Sequence, residues 1–144
     1  MPDNNLRHLL KDLGDFPAAR PLLERSLQIV EKELGESHPH VATLSNNLGQ
    51  LLQALGDFPA ARPLMERALA ISEKALGPDH PTVAIRLNNL GQLLQALGDY
   101  AAARPLMERA ISIFEAALGP DHPNTKTVSN NLAQLLQEIE NNSP

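Results

Sequence analysis

The chain has 144 residues, a formal net charge of −5 and no cysteine. Interspersed charges with a negative sum argue against nucleic acid or an anionic membrane as partner, and the lack of cysteine excludes disulfides and thiolate metal sites. No apolar run approaches the roughly 18 residues of a membrane span, and the polar start lacks the features of a secretory signal. These properties predict a soluble, cytoplasmic protein.

An internal repeat of 42 residues organises the chain. The stretch NNLGQLLQALGD occurs at 46–57 and again at 88–99, with degraded copies at 4–15 and 130–141. The windows 38–79 and 80–121 differ at only ten of 42 positions. A fixed period of this length is typical of stacked repeat proteins, in which neighbouring units share one apolar core.

Each period predicts two helices joined by tight turns. Apolar residues recur at helical spacing over 39–55 and again over 58–76. Gly56 is placed to end the first helix and Asp57 to cap the second. We therefore expect an all-α fold of about seven antiparallel helices. Their predicted ranges are 3–13, 16–34, 39–55, 58–76, 81–97, 100–118 and 123–140.

The repeats are expected to form a single solenoid over 1–144. Its terminal units depart from the pattern: Arg7 stands where later units have Gly49 and Gly91, and the turn glycine is lost after the last copy. Polar, atypical end units are what a solenoid needs for solubility. The predicted units are 1–37 (partial), 38–79, 80–121 and 122–144 (a terminal helix).

Three prolines lie at positions that are predicted to be helical, although proline is unfavourable inside an α-helix. Pro21, Pro63 and Pro105 lie about five residues inside the second helix of each unit, where proline costs roughly 3 kcal/mol. The first turn of these helices is therefore expected to be kinked or to start late. A tolerated first-turn proline is the alternative.

Seven residues of the second unit fall at the spacing of the tetratricopeptide signature. They are Leu48, Gly49, Gly56, Asp57, Phe58, Ala61 and Ala68. The standard period is about 34 residues, and the longer period without tryptophan resembles the kinesin light chain repeats along the whole chain. This resemblance implies a superhelix of αα-hairpins, that is, a solenoid like those of tetratricopeptide repeat (TPR) proteins. It also implies a scaffold or protein-binding role, as in motor adaptors or signalling proteins.

Polar residues of each first helix lie on the face opposite its leucines, which would line the concave side of a superhelix. Amides there suit an extended peptide, because their donors and acceptors pair with a backbone of any sequence. The predicted peptide-binding groove residues are Thr43, Asn46, Asn47, Gln50, Gln53, Ile85, Asn88, Asn89, Gln92, Gln95, Thr127, Asn130, Asn131, Gln134 and Gln137.

The resemblance also implies that asparagines at the positions of Asn46, Asn47, Asn88 and Asn89 bind short peptides. Basic residues that could grip an acidic peptide are few. They are Arg86 and Lys126 at the edge of the groove and His8 in place of a glutamine. Alternatively, the asparagine pair serves packing and solubility and was copied with the repeat.

The PDHP loops offer Asp79 with His80 and Asp121 with His122 as ligand pairs, but no further pair converges on them in the sequence. Capping by Asp or His before a helix-starting proline is the favoured interpretation. The side chains of Arg62, Glu66, Arg67 and their copies are expected to form solvated faces or weak ion pairs between repeats. No phosphate loop, nucleophile elbow or HExxH motif occurs, so we expect no enzyme, metal or cofactor.

Two functions remain open. One is a module that binds a protein or peptide in the amide-lined groove. The other is a structural or self-associating scaffold without a dedicated ligand, in which the last helix exposes Leu132, Leu135, Leu136 and Ile139 and forms homo-oligomers through terminal helices.

Overall fold

The computed structural model describes residues 16–143, which contain six α-helices and no strand. The helices are α1 Phe16–Leu34, α2 Pro39–Ala54, α3 Phe58–Leu76, α4 Pro81–Ala96, α5 Tyr100–Leu118 and α6 Pro123–Asn141. The predicted all-α repeat fold is confirmed, and every helix end lies at most one residue from its predicted position. The predicted helix at 3–13 lies outside the described residues.

The chain divides into two compact units between Ile71 and Ser72, inside α3. In the first unit, α1 packs against α2, and α2 packs against α3 through Gly49 and Met65. In the second unit, α5 packs against both α4 and α6, and α4 also touches α6. Within each unit, helices adjacent in sequence therefore pack against each other, as in the αα-hairpins of TPR-like solenoids.

A short hydrogen-bonded turn joins the two helices of each hairpin. Gly56 has φ +86°, and the backbone N–H groups of Gly56 and Asp57 donate to carbonyls of α2 at 3.0 and 2.8 Å. This is a Schellman motif, in which glycine adopts the left-handed conformation without the strain of a Cβ. The Asp57 carboxylate then accepts the N–H three residues on at 3.3 Å and caps α3. Gly98 and Asp99 repeat the arrangement.

Glycine also allows the two helices of a hairpin to approach closely. A Cβ on Gly49 would lie 2.8 Å from Cγ of Met65, and a Cβ on Gly91 would lie 3.0 Å from Cγ of Met107. Both distances are well below the roughly 3.5–4.0 Å at which carbon atoms pack best. The methionine side chain thus fills the space that the glycine leaves.

Pro21, Pro63 and Pro105 lie in the interior of α1, α3 and α5, which begin five residues earlier. The expectation of a late helix start and the alternative of a first-turn proline are therefore both wrong. All three prolines are exposed. Water can hydrate the carbonyl that each one leaves without an N–H donor, which makes an interior proline tolerable.

The last helix exposes less apolar surface than predicted. Leu135 is fully buried, Leu132 and Ile139 are half-buried, and Leu136 is exposed. Leu135 shares one buried stripe with Thr125 and Val128, and α6 packs against α5 and α4. The prediction was wrong for Leu135 because it assigned both apolar stripes of α6 to one face.

Candidate protein-interaction surface

The predicted groove residues lie on α2 of the first unit and on α4 and α6 of the second. We call those of α4 and α6 the amide face. On α2, the half-buried residues are Thr43, Asn47, Gln50 and Gln53. On the amide face, the half-buried residues are Asn88, Asn89, Gln95 and Asn131, and the exposed residues are Ile85, Gln92, Thr127, Asn130, Gln134 and Gln137. The amide face therefore presents most of the accessible surface of the predicted groove.

Asn46 departs from the pattern because it is only 3% exposed. The expectation that Asn46 lies on an open face is therefore wrong. α2 packs against both α1 and α3, and its residues Leu44 and Ser45 are buried as well. Contacts on two sides widen the buried arc of α2 beyond the leucine stripe that the sequence pattern reveals.

Two side-chain hydrogen bonds join α4 to α6. Nδ2 of Asn131 donates to Oδ1 of Asn88 at 3.2 Å, and Nε2 of Gln95 donates to Oε1 of Glu138 at 2.6 Å. These amides hold neighbouring helices together, which is the packing role that the sequence left open for the asparagines. The amide face therefore combines structural amides with accessible ones.

The accessible amides are Gln92, Asn130 and Gln134. All three are exposed, and none makes a side-chain hydrogen bond to another residue of the described chain. Each amide offers two N–H donors and a carbonyl acceptor. These residues can hydrogen-bond a ligand without first breaking a bond within the protein.

A cavity of about 260 Å³ lies between α4 and α6, beside α5. Its lining residues are Ile85, Asn88, Phe114, Asn124, Thr127 and Val128. Phe114 and Val128 are almost fully buried and supply an apolar floor, while Asn88 and Asn124 supply amides. The structure thus brings three predicted groove residues, Ile85, Asn88 and Thr127, to one concavity.

Sequence analysis did not identify Phe114, Asn124 and Val128 as part of this site. The signal that could have found them is the variation between repeats. Phe114 replaces Ser72, and Val128 corresponds to Leu44 and Arg86. The six lining residues occupy five repeat positions, since Ile85 and Thr127 are one period apart, and only the position of Asn88 has the same residue in every aligned copy. The cavity therefore lies where the near-identical repeats differ.

Arg86, predicted at the edge of the groove, is half-buried. It occupies the position of two almost fully buried residues, Leu44 and Val128. Burial lowers the pKa of the Arg86 guanidinium below its ordinary value, because desolvation disfavours the charged form. Lys126 is exposed, and His8 lies outside the described residues. Of the two predicted basic residues that the structure describes, only Lys126 is therefore exposed to an acidic peptide.

The histidines of the repeated loops are helix caps. Nδ1 of His38, His80 and His122 accepts the backbone N–H two residues on, at 3.1, 3.0 and 3.0 Å. Each is followed by a proline at the helix start. The predicted capping role is confirmed, with histidine as the cap. Within residues 16–143, no group of three or more His, Asp or Glu could hold a metal ion.

None of the six described helices is both long enough and apolar enough to cross a membrane.

Comparison with known proteins places this fold in a family. The family model described as Tetratricopeptide repeat matches residues 3–74, 41–116 and 84–143. No curated protein sequence matches the chain. Among solved structures, the chain is similar to a putative kinesin light chain of Podosopora anserina with nearly identical TPR-like repeats. The two share 28% identity with a TM-score of 0.89, over 94% of this chain and 64% of that one.

Two further structures are similar. A second crystal structure of the Podosopora anserina protein, a substituted form, gives 26% identity and a TM-score of 0.88 over 93% of this chain and 63% of that one. BtubC (BKLC) from P. vanneervenii shares the fold, with 23% identity and a TM-score of 0.69 over 96% of this chain and 63% of that one. The chain spans less than two thirds of the length of these structures. The overlapping family matches nonetheless cover almost all of it, and the chain belongs to the tetratricopeptide repeat family of protein-interaction scaffolds, with repeats of the kinesin light chain-like type.

Proposed function

We propose that the chain is a protein-interaction module that binds an extended peptide along the amide face. The observation that carries this proposal is the cavity between α4 and α6. Its six lining residues occupy five repeat positions, and four of these differ between the windows 38–79 and 80–121, which are otherwise nearly identical. A fixed packing layer with a variable concavity is suited to recognition on a repeated scaffold, because specificity can change without loss of the fold.

The chemistry of the site favours a particular kind of peptide. The exposed amides of Gln92, Asn130 and Gln134 pair with the backbone of an extended segment. The apolar floor with Phe114 and Val128 accepts one apolar side chain of that segment. Since Arg86 is half-buried, we do not propose a clamp for acidic side chains.

The proposal also includes the arrangement of the repeats, the location of the protein and the class of its partner. The units 1–37, 38–79, 80–121 and 122–144 act as one array in the cytoplasm. The partner is a protein or peptide and not nucleic acid or a membrane, since the net charge is −5. We propose no catalysis and no cofactor, in keeping with the scaffold role of the family.

Peptide selection tests the proposal. Peptides enriched from a random display library on the full chain would be synthesised and titrated by fluorescence anisotropy. Ile85→Asp places a charge at the cavity and should weaken binding by about tenfold, equivalent to about 1.4 kcal/mol. N-methylation of the bound peptide's backbone should weaken binding too, because the amides would lose their partners.

The matched control is Ala101→Asp, a similar charge on an exposed residue of α5 away from the cavity. It should leave affinity unchanged. Failure to enrich any peptide, or equal affinity of the Ile85→Asp and wild-type chains, would overturn the proposed groove.

Self-association is a second candidate function, favoured by the exposed apolar side chains Leu22, Ile29 and Leu136. Leu22 and Ile29 are seven residues apart and so lie on one face of α1, and an exposed apolar patch often marks an interaction site. Sedimentation equilibrium from micromolar to millimolar concentration tests it. A single species with the mass of a monomer throughout would exclude this function.

A further inference from the structure

A second cavity, of about 370 Å³, lies between α5 and the loop that precedes α4. We call it the loop cavity. Its lining residues are Asp79, Arg109, Ser112, Ile113, Ala116 and Ala117, which all belong to the second compact unit. None of them lines the cavity of the amide face. The loop cavity is therefore a separate site on the same unit.

Asp79 gives the loop cavity a negative charge. This residue is exposed, and its carboxylate forms no hydrogen bond or ion pair within the described chain. The other charged residue of the lining, Arg109, donates to a carboxylate oxygen of Glu73 at 3.4 Å and to the carbonyl of Pro78 at 3.1 Å. Glu73 balances the charge of Arg109, so the carboxylate of Asp79 remains to attract a cation.

The last turn of α5 adds to this negative charge. The final carbonyl groups of a helix have no partner within it and carry the negative end of the helix dipole, which a nearby cation stabilises. α1 and α3 each have a lysine in the last turn, Lys32 and Lys74. α5 has no basic residue there, and Ala116 is at the same repeat position. The end of α5 therefore lacks the cation that the equivalent helices carry.

The lining also has an apolar part. Ile113 is 5% exposed, and Ala116 and Ala117 are exposed. Alanine is much shorter than the lysine of the other copies, which leaves open surface beside Ser112 and Ile113, its neighbours on the helix face. A lysine side chain packs its methylene stem on apolar surface while its ammonium stays at a polar site. The loop cavity offers both kinds of surface.

We propose that the loop cavity binds a lysine side chain of a partner protein. The ammonium lies beside Asp79 and the last turn of α5, and the methylene stem packs on Ile113, Ala116 and Ala117. Lysine fits because its compact ammonium has three N–H donors for a carboxylate and for helix-end carbonyls. The net charge of −5 favours the approach of a basic segment. This site does not depend on the amide face, so it holds whether or not that face binds a peptide.

Nuclear magnetic resonance of the full chain tests the site with a defined probe. The probe is the peptide acetyl-Ala-Ala-Lys-Ala-Ala-amide, and its control peptide has uncharged norleucine in place of lysine. The lysine peptide should shift the backbone amide signals of Ser112, Ala116 and Ala117 in a saturable way. The norleucine peptide should bind at least about fivefold more weakly, because it lacks the charge that Asp79 attracts.

Two variants test the residues of the site. Asp79→Asn should raise the dissociation constant of the lysine peptide by about fivefold, as expected for the loss of an exposed ion pair. Ala116→Lys supplies the lysine of the other copies and fills the cavity, so it should abolish the shifts of Ser112 and Ala117. Circular dichroism confirms that each variant is folded.

Each variant has a matched control. Asp121→Asn removes the same charge from the equivalent position of the next loop, outside the cavity. Ala101→Lys adds the same charge at an exposed alanine of α5 that does not line the cavity. Both controls should leave the affinity for the lysine peptide unchanged.

The outcomes distinguish a specific site from general attraction. Saturable shifts that require lysine, that Asp79→Asn weakens and that Ala116→Lys abolishes support the proposal. Equal effects of Asp79→Asn and Asp121→Asn would overturn it, because the probe would then respond only to net charge. The absence of saturable shifts at Ser112, Ala116 and Ala117 would overturn it as well and would leave the amide face untouched.

Discussion

α4 and α6 carry nearly the same sequence, NNLGQLLQ and NNLAQLLQ, in different surroundings. Leu93 in one apolar stripe of α4 and its equivalent Leu135 in α6 are both fully buried. The other stripe is buried in α4, where α5 follows, but Leu136 of α6 is exposed. A first helix of this repeat therefore has two apolar stripes with separate partners. The sequence of the helix determines where the stripes lie, and the helices packed against it determine which stripe is buried.

The largest expected difference between the two helices comes from matched leucines. Leu94→Ala should lower the free energy of unfolding by about 3 kcal/mol, since it leaves a cavity beneath α5. Leu136→Ala should lower it by less than about 1 kcal/mol, because this side chain is partly in water. Urea unfolding followed by circular dichroism measures both. Equal losses would show that α6 is covered as fully as α4.

A smaller effect is expected at the glycine position. Gly91→Leu should destabilise the protein by about 2 kcal/mol, because its Cβ already meets Met107. Ala133→Leu at the same position of α6 should stay within about 0.5 kcal/mol of the wild type. Thermal unfolding in a calorimeter gives the comparison. A tolerated Gly91→Leu would contradict the close helix approach.

The histidine caps of α4 and α6 should contribute equally to stability. His80→Ala and His122→Ala each remove the acceptor of one backbone N–H, so each should cost about 1 kcal/mol. Replacement by asparagine, another good capping residue, should restore most of the loss. Denaturant midpoints of the four variants measure this. A cost confined to one helix would mean that the caps depend on tertiary contacts.

The smallest expected effect concerns the bond between the two helices. A double-mutant cycle of Gln95→Ala and Glu138→Ala should give a coupling of about 0.5 to 1 kcal/mol in favour of the pair. Urea unfolding of the two single variants and the double variant supplies the cycle. Strict additivity would show that the hydrogen bond contributes nothing to the packing of α6 on α4.

The helix boundaries were predictable because glycine, proline and capping residues act locally. Gly56 ends α2 and Asp57 begins α3 through bonds that span only a few residues. The exposure of each face was less predictable. Asn46 and Leu135 were both expected on open surfaces and are buried, since the periodicity of one helix indicates its faces but not the number of its neighbours.

The candidate site was predictable only in part. The helical pattern placed Ile85, Asn88 and Thr127 on one side of their helices, and all three line the cavity. Phe114 was missed because it lies on a second helix, whose residues were interpreted as core. The bond between Gln95 and Glu138 was missed because it depends on how closely α4 and α6 approach, which no single-helix pattern encodes.

The turn between the helices of a hairpin has a consequence for how the repeat length can change. The N–H of Asp57 donates to a carbonyl at the end of α2, and its carboxylate caps the beginning of α3. One residue therefore stabilises the ends of two helices. An insertion between Gly56 and Asp57 would separate the two bonds, and one helix would lose its terminal partner. Length variants of this repeat should therefore accumulate in the Gly-Pro-Asp-His turns between hairpins and spare the Gly-Asp turns within them.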